Sequence, residues 1–254
     1  MRDGILQIGE FPGPMQALVD ERYDCWREPD LETDPELRTR VRGIVTRSNY
    51  AVPAALIERL PGLRIIATCG VGYDLIPVEF ARARGITVTN TPDVLNDAVA
   101  ELCIGLMLSM LRQIPAADRF VRDGEWTRRL FPLTTDLAGK RVGIVGMGRI
   151  GREIADRLVP FKVELGYLAR TPQPLPWRFE PGLLPLARWA DILILAVPGG
   201  AATAGMIDAQ VLDALGPDGY LVNMARGSVV DEPALIDALA HGRIAGAALD
   251  VYEA

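Results

Sequence analysis

Histidine is nearly absent from this chain and cysteine is scarce: one histidine, His241, and three cysteines, Cys25, Cys69 and Cys103, in 254 residues. The thiols are odd in number, widely separated and without a C-x-x-C pair. That fits reduced, buried thiols in a cytosolic protein better than a zinc or disulfide framework. Positive charge is in deficit too. A formal net charge of −6 gives no global attraction to phosphate backbones or anionic lipid, so neither nucleic acid nor a membrane is an expected partner. The opening MRDGILQIGEFPGP lacks the apolar stretch of a signal peptide, and the longest greasy run, residues 102–111, is too short to cross a bilayer. A soluble, cytoplasmic protein is the expectation. No short-period repeat or low-complexity tract is visible. What is present, 49% hydrophobic and 24% charged residues, suits one large globular domain or two modest ones.

Apolar runs of strand length alternate with segments of helical period, the pattern of parallel sheets built from βαβ units. In the first half the spacing predicts strands at residues 4–9, 43–47, 64–70 and 86–90, with helices near 15–21, 53–60 and 77–84. In the second half it predicts strands at 141–146, 163–169, 191–197, 219–225 and 246–251. The fold class is α/β, two Rossmann-like or flavodoxin-like domains with parallel sheets. Between the halves, NTPDVLNDAVAELCIGLMLSMLRQI reads as a turn, Asp93 as an N-cap, and a long helix apolar on nearly all sides, expected at a domain junction or subunit contact.

VGIVGMGRIGREIADRL places Gly146, Gly148 and Gly151 in G-x-G-x-x-G spacing between a strand and an amphipathic helix. Gly146 permits the tight turn, Gly148 lets a pyrophosphate approach the main chain, and Gly151 lets helix and strand pack closely. An ordinary glycine turn is the alternative, and the strand before and helix after weigh against it. An NAD-preferring fold carries an acid about twenty residues further on. None occurs here. The second strand ends GYLARTP, where Arg170 and Thr171 suit a 2′-phosphate that a carboxylate would repel. NADPH is therefore the preferred cofactor, with NADH possible; a solvated loop arginine is the competing reading.

Ligands of open α/β sheets bind beyond the carboxyl ends of the strands. In CGVGYD the N–H groups of Val71 and Gly72 could hold a carboxylate, or the segment is a plain turn. In LVNMARGS, Arg226 follows an apolar strand where a cation calls for an anion, and Gly227 permits a sharp exit. A surface salt bridge is the alternative. Asp250 stands at the matching edge of the last strand. In PGGAAT, after the 191–197 strand, Thr203 is expected to begin or cap the next segment. Asp97 and Glu101, one turn apart, read as a solvated helix face.

The segments GVGYD, GITVTNTPDVLNDAVAELCIGLML, FPLTTDLAGKRVGIVGMGRIG, DALGPDGYLVNMARGSVVDEPALIDAL and GRIAGAALDVYE together resemble the D-isomer-specific 2-hydroxyacid dehydrogenases, in particular the hydroxypyruvate/glyoxylate and hydroxyphenylpyruvate reductase branch. The resemblance runs from about Arg42 onward. It implies reduction of a small 2-keto acid to a D-2-hydroxy acid in an interdomain cleft, and a homodimer built through the long-helix region. Residues 1–93 would form the substrate-binding domain, incomplete without a C-terminal return, and residues 94–254 the NAD(P)-binding domain.

By the same resemblance, Val71 and Gly72 bind the substrate carboxylate. Gly146, Gly148, Arg149, Ile150 and Gly151 surround the pyrophosphate, and Ala169, Arg170 and Thr171 the 2′-phosphate. Val197, Pro198 and Thr203, with Met224 and Ala225, line the cofactor; Asp250 holds the nicotinamide. Arg226 is the catalytic residue, gripping carboxylate and carbonyl beside the cofactor. PGGAAT departs from the family's usual loop. Hydride reduction of a ketone needs a proton donor, in this family a histidine held by a glutamate. His241 sits at a helix end that should lie opposite the ligand edge. The resemblance places the histidine and glutamate beyond Ala254, so the expectation for these 254 residues is cofactor binding with severely reduced hydroxypyruvate or glyoxylate reduction. The other function class is a dinucleotide-binding sensor or interaction protein without turnover.

Overall fold

The computed structural model describes residues 2–253 and divides into two compact units, residues 1–94 and 95–254. The first contains β1 (Gly4–Gln7), α1 (Gly13–Arg22), β2 (Asp24–Trp26), α2 (Glu28–Thr33), α3 (Leu37–Arg40), β3 (Val41–Arg47), α4 (Ala54–Glu58), β4 (Ile65–Cys69), α5 (Val78–Ala83) and β5 (Thr87–Thr89). Its strands are parallel in the order β2-β1-β3-β4-β5, the flavodoxin-like order. Leu6, Ile44 and Ile66 point to one face of this sheet and are fully buried with Leu56 and Ile57 of α4.

The second unit holds α6 (Asn96–Leu111), α7 (Ile114–Arg122), β6 (Arg141–Val145), α8 (Arg149–Leu158), β7 (Glu164–Leu168), β8 (Arg178–Phe179), α9 (Leu183–Trp189), β9 (Ile192–Leu195), α10 (Ala209–Leu215), β10 (Tyr220–Asn223), α11 (Glu232–Ala240) and β11 (Gly246–Leu249). The order β11-β10-β9-β6-β7-β8, again all parallel, is the doubly wound dinucleotide-binding order. Its direction reverses between β6 and β9, and ligands of such sheets bind at that point. Strand ILIL of β9 shows why the run is apolar throughout. Ile192 and Ile194 pack with α6 and α8, Leu193 and Leu195 with α9 and α10, and all four are fully buried, as strands covered on both faces require.

Two expectations are corrected here. The long helix stops at Leu111: Gln113 takes a left-handed φ of 50°, and α7 restarts with Pro115 in its first turn, bent 57° from α6. Neither helix alone is long and apolar enough to cross a membrane. α6 supplies part of the core of its own unit, burying Ala100, Cys103, Met107 and Leu111 against the sheet. Asp93 does not cap it; Leu95 occupies that position without a side-chain cap, and Asp93 lies at φ 70°.

The thiols are not uniformly buried. Cys103 is, and burial pushes its pKa up to about 12; Cys25 is half-buried, with a pKa raised by the same cause. Cys69 is exposed because it shares a sheet face with Ile65, which is 39% exposed, whereas Ile66 and Thr68 on the opposite face are buried. Strands β2 and β8 escape the sequence pattern because three and two residues are too few to show a period.

At the amino edge of the second sheet an ion pair joins the two strands that flank the reversal. Arg141 donates from Nη2 to Asp191 Oδ1 at 2.7 Å and from its main-chain N–H to Oδ2 at 2.8 Å. The guanidinium hydrogen bond holds the Asp191 carboxyl below its usual 3.8. A carboxylate with a depressed folded pKa contributes its full stability above the unfolded value and loses it as the pH falls through the folded one. Asp191→Asn is therefore expected to cost about 1–2 kcal/mol at neutral pH. Melting curves of the two proteins should converge below pH 3.8; a gap independent of pH would refute the linkage.

Candidate active site

The glycine turn joins β6 to α8 at the reversal point. Gly146 takes φ 102°, and a Cβ there would stand 2.6 Å from the carbonyl oxygen of Ala196, just past β9. Gly151 is fixed by close approach, since its Cβ would meet the Gly146 carbonyl oxygen at 2.1 Å. Gly148 differs from both. Its backbone is extended (φ −81°, ψ −158°), which any residue adopts, and an added Cβ would meet nothing within 4 Å. No internal contact demands glycine at 148. The Cβ would instead fill the space in front of the first turn of α8, which has no side-chain cap. An uncapped helix N-terminus facing open space across a bare main chain fits a phosphate group. Gly148 and Arg149 are exposed, while Ile150 is half-buried against the core of α6 and α8.

The carboxyl edge of β7 carries half-buried Ala169 and exposed Arg170 and Thr171. Among the described residues Arg170 makes no ion pair or side-chain hydrogen bond, so its charge is available to a ligand. After β9 come half-buried Val197 and exposed Pro198. Thr203 neither begins nor caps a helix. Its Oγ1 donates back to the Pro198 carbonyl at 2.7 Å, closing the loop upon itself, and Asp208 caps α10 by accepting from the N–H of Val211 at 3.0 Å.

Beyond β10, Met224 and Ala225 are buried and Arg226 is half-buried. Asn223, 1% exposed, folds this turn: its Nδ2 donates to the Arg226 carbonyl at 2.9 Å, and its Oδ1 accepts from the Ala225 N–H at 2.9 Å. The Arg226 guanidinium donates from Nη1 to the Ala225 carbonyl at 2.7 Å. Gly227 serves a different purpose from the expected sharp exit. A Cβ there would stand 2.0 Å from the main-chain carbon of Tyr252, so glycine admits the passing chain. Asp250 follows β11 directly, exposed, with its N–H bonded to the Asn223 carbonyl at 3.0 Å. The glycine turn, Ala169–Thr171, Val197, Arg226 and Asp250 thus all stand at the carboxyl edge of one sheet.

In the first unit, the CGVGYD turn follows β4. The Gly70 N–H donates to Thr91 Oγ1 at 2.9 Å, and Asn90 Nδ2 to the Val71 carbonyl at 2.8 Å. The N–H groups of Val71 and Gly72 donate to no other group among the described residues, which leaves both open to an anion.

His241 caps the end of α11 five residues before β11 begins, at the amino edge of the sheet, exposed, with Nδ1 3.0 Å from the Asp237 carbonyl oxygen. Asp97 is exposed but pairs with Arg157 of α8, while Glu101 is exposed. No cluster of His, Cys, Asp and Glu suited to a metal ion occurs among the described residues. Asn223, a polar side chain inside an apolar strand, was a legible signal to which the sequence pattern assigned no role. The tie between Gln173 and the glycine turn had no such signal.

A doubly wound parallel sheet with this turn at its reversal point, and an uncapped helix N-terminus behind it, defines a dinucleotide-binding α/β protein. The profile of the NAD binding domain of the D-isomer specific 2-hydroxyacid dehydrogenases matches residues 104–254. The chain belongs to that family of oxidoreductases, and its cofactor is a nicotinamide dinucleotide. It is 43% identical to a 2-ketogluconate reductase of Gluconobacter oxydans, across 98% of this chain and 81% of that one. It is 41% identical to a glyoxylate/hydroxypyruvate reductase of Arabidopsis thaliana, across 98% and 82%. Among solved structures it is similar to an NADPH-dependent glyoxylate/hydroxypyruvate reductase of Sinorhizobium meliloti, in complex with NADP and malonate: TM-score 0.92, 43% identity, 100% of this chain and 81% of that one.

Proposed function

We propose that this protein reduces a small 2-keto acid, of the hydroxypyruvate or glyoxylate type, to the D-2-hydroxy acid with NADPH. The observation that carries the reading is Arg226, presented at the carboxyl edge of β10 by a turn that the buried Asn223 amide locks. A guanidinium there can donate two hydrogen bonds in one plane, matching a carboxylate and the adjacent carbonyl. The Val71 and Gly72 N–H groups, which donate to no other group among the described residues, are assigned to the substrate carboxylate. The bound nicotinamide supplies the hydride; Arg226 polarises the carbonyl that accepts it and stabilises the negative charge developing on its oxygen. His241, at the other edge of the sheet, is not the donor of the proton that oxygen takes up. Asp250 is assigned to the nicotinamide amide, and Val197, Pro198, Thr203, Met224 and Ala225 to the cofactor's flank.

NADPH is preferred over NADH because the edge of β7 offers the Arg170 guanidinium and the Thr171 hydroxyl, with no carboxylate to repel a 2′-phosphate. The named relatives are reductases, one of them NADPH-dependent, which favours turnover over a sensor role. The test is oxidation of NADPH on adding hydroxypyruvate, glyoxylate or 2-ketogluconate. Consumption with at least one and a slower rate with NADH is expected; cofactor binding without consumption by any 2-keto acid would refute the reading.

A homodimer through the segment around and after α7 is part of the proposal. Leu130 is 92% and Leu133 102% exposed, beside Trp126 at 63%, an apolar array that calls for cover. Sedimentation is expected to show a dimer that Leu130→Asp combined with Leu133→Asp converts to a monomer. A monomeric parent protein would exclude it.

A further inference from the structure

Gln173 lies in TPQPLP, a segment that composition marks only as a loop, yet it makes the densest set of hydrogen bonds near the cofactor edge. Its Nε2 donates to the carbonyl of Met147, inside the glycine turn, at 3.0 Å. Its Oε1 accepts from Arg152 Nη2, on α8, at 2.6 Å. Its main chain is held by Tyr167, a β7 residue 1% exposed: the Gln173 N–H donates to the phenolic oxygen at 2.9 Å, and that hydroxyl donates to the Gln173 carbonyl at 3.1 Å. The strand's other anchor is the Gly146 N–H, which donates to the Leu168 carbonyl at 2.9 Å. Residues 169–172, which carry Arg170 and Thr171, therefore form a short arc tied at both ends to the turn assigned to the pyrophosphate.

We propose that Gln173 is a specificity-positioning residue: by joining this arc to the glycine turn, it fixes Arg170 and Thr171 at the spacing that separates a dinucleotide's 2′-phosphate from its pyrophosphate. Preference for NADP(H) then depends on a side chain that need not touch the phosphate. The geometry explains why an amide serves: one end must donate to a carbonyl while the other accepts from a guanidinium, and a primary amide carries both functions on one plane without titrating. Glutamate would keep the Arg152 partner but face the Met147 carbonyl with no donor. This inference rests on the NADPH reading above.

The experiment is calorimetric titration of the full chain with NADP⁺ and with NAD⁺, together with melting temperatures, for the parent protein, Gln173→Met, Gln173→Glu, Tyr167→Phe and Arg170→Asp. Gln173→Met is expected to weaken NADP⁺ binding about tenfold, the equivalent of one good hydrogen bond, while NAD⁺ binding changes less than about twofold. Tyr167→Phe, which frees the arc without touching the glycine turn, should move the same ratio in the same direction. Gln173→Glu should lower it at least as far. A merely structural role would depress both affinities and the melting temperature together, and that result overturns the inference. So does an unchanged NADP⁺ to NAD⁺ ratio in Gln173→Met and Tyr167→Phe when Arg170→Asp abolishes the preference; the NADPH reading then stands alone. A parent protein with no preference, left unchanged by Arg170→Asp, overturns both.

Discussion

Gly148→Ala is expected to weaken NADP⁺ binding severely while leaving the fold intact, and Gly151→Ala, three residues on, to damage the fold itself. At 148 the backbone is already extended and the new methyl group meets nothing within 4 Å. Stability should therefore fall by no more than about 1 kcal/mol, the difference between glycine and alanine at an N-cap. The methyl group would stand where a pyrophosphate must approach the main chain, so affinity is expected to fall by about two orders of magnitude. At 151 the Cβ would lie 2.1 Å from a main-chain oxygen and 3.5 Å from Ile144 Cγ2. A backbone carbonyl cannot rotate aside as a flexible side chain can. Moving α8 off β6 is expected to cost about 3 kcal/mol, a fall of on the order of 10 °C in melting temperature. Thermal melts and titration with NADP⁺ read the two effects separately. Equal loss of stability in both variants would mean that Gly148 serves packing and not a ligand.

The second large effect is expected at Arg226. With NADPH present, oxamate, a 2-keto acid isostere that is not reduced, tests the grip on the substrate apart from the chemistry. Arg226→Gln shortens the side chain but keeps a planar, hydrogen-bonding end, and it removes both the charge and the guanidinium fork. Loss of a charge-assisted hydrogen-bond pair to a carboxylate is worth about 3 kcal/mol, so oxamate affinity is expected to fall on the order of a hundredfold, with NADPH affinity changed less than about threefold. The turn should survive, because Asn223 holds the main chain of residues 225 and 226 and not the guanidinium. Unchanged oxamate affinity would remove Arg226 from the substrate site.

Both sheets were legible because their physics is periodic or continuous. ILIL at 192–195 is apolar at every position because helices cover both faces, whereas RIIATCG in the first unit alternates, with Ile66 and Thr68 buried on one face and Ile65 and Cys69 exposed on the other. The glycine turn was legible because each glycine answers a separate geometric demand. What escaped notice has no periodic signature. Strand β2 is too short, and α2, with sequence EPDLET, is held by a reciprocal cap between Arg27 and Asp30 more than by an apolar face. The end of α6 was hidden because residues 112–113 remain compatible with a helix until Pro115 is considered. Cys69 read as buried because strand residues of that kind usually are; its exposure follows from which face of β4 it shares with Ile65. Gln173 and Tyr167 were invisible for another reason: their hydrogen bonds link segments whose adjacency arises only when β7 lies beside β6.

A crystal structure of this chain with NADP⁺ bound tests the central claim most directly. The expected result is a pyrophosphate against the N–H groups of Arg149 and Ile150, and a 2′-phosphate paired with the Arg170 guanidinium beside the Thr171 hydroxyl. A dinucleotide lodged away from the β6–α8 turn, or one whose 2′-phosphate faces solvent while Arg170 points elsewhere, would contradict it.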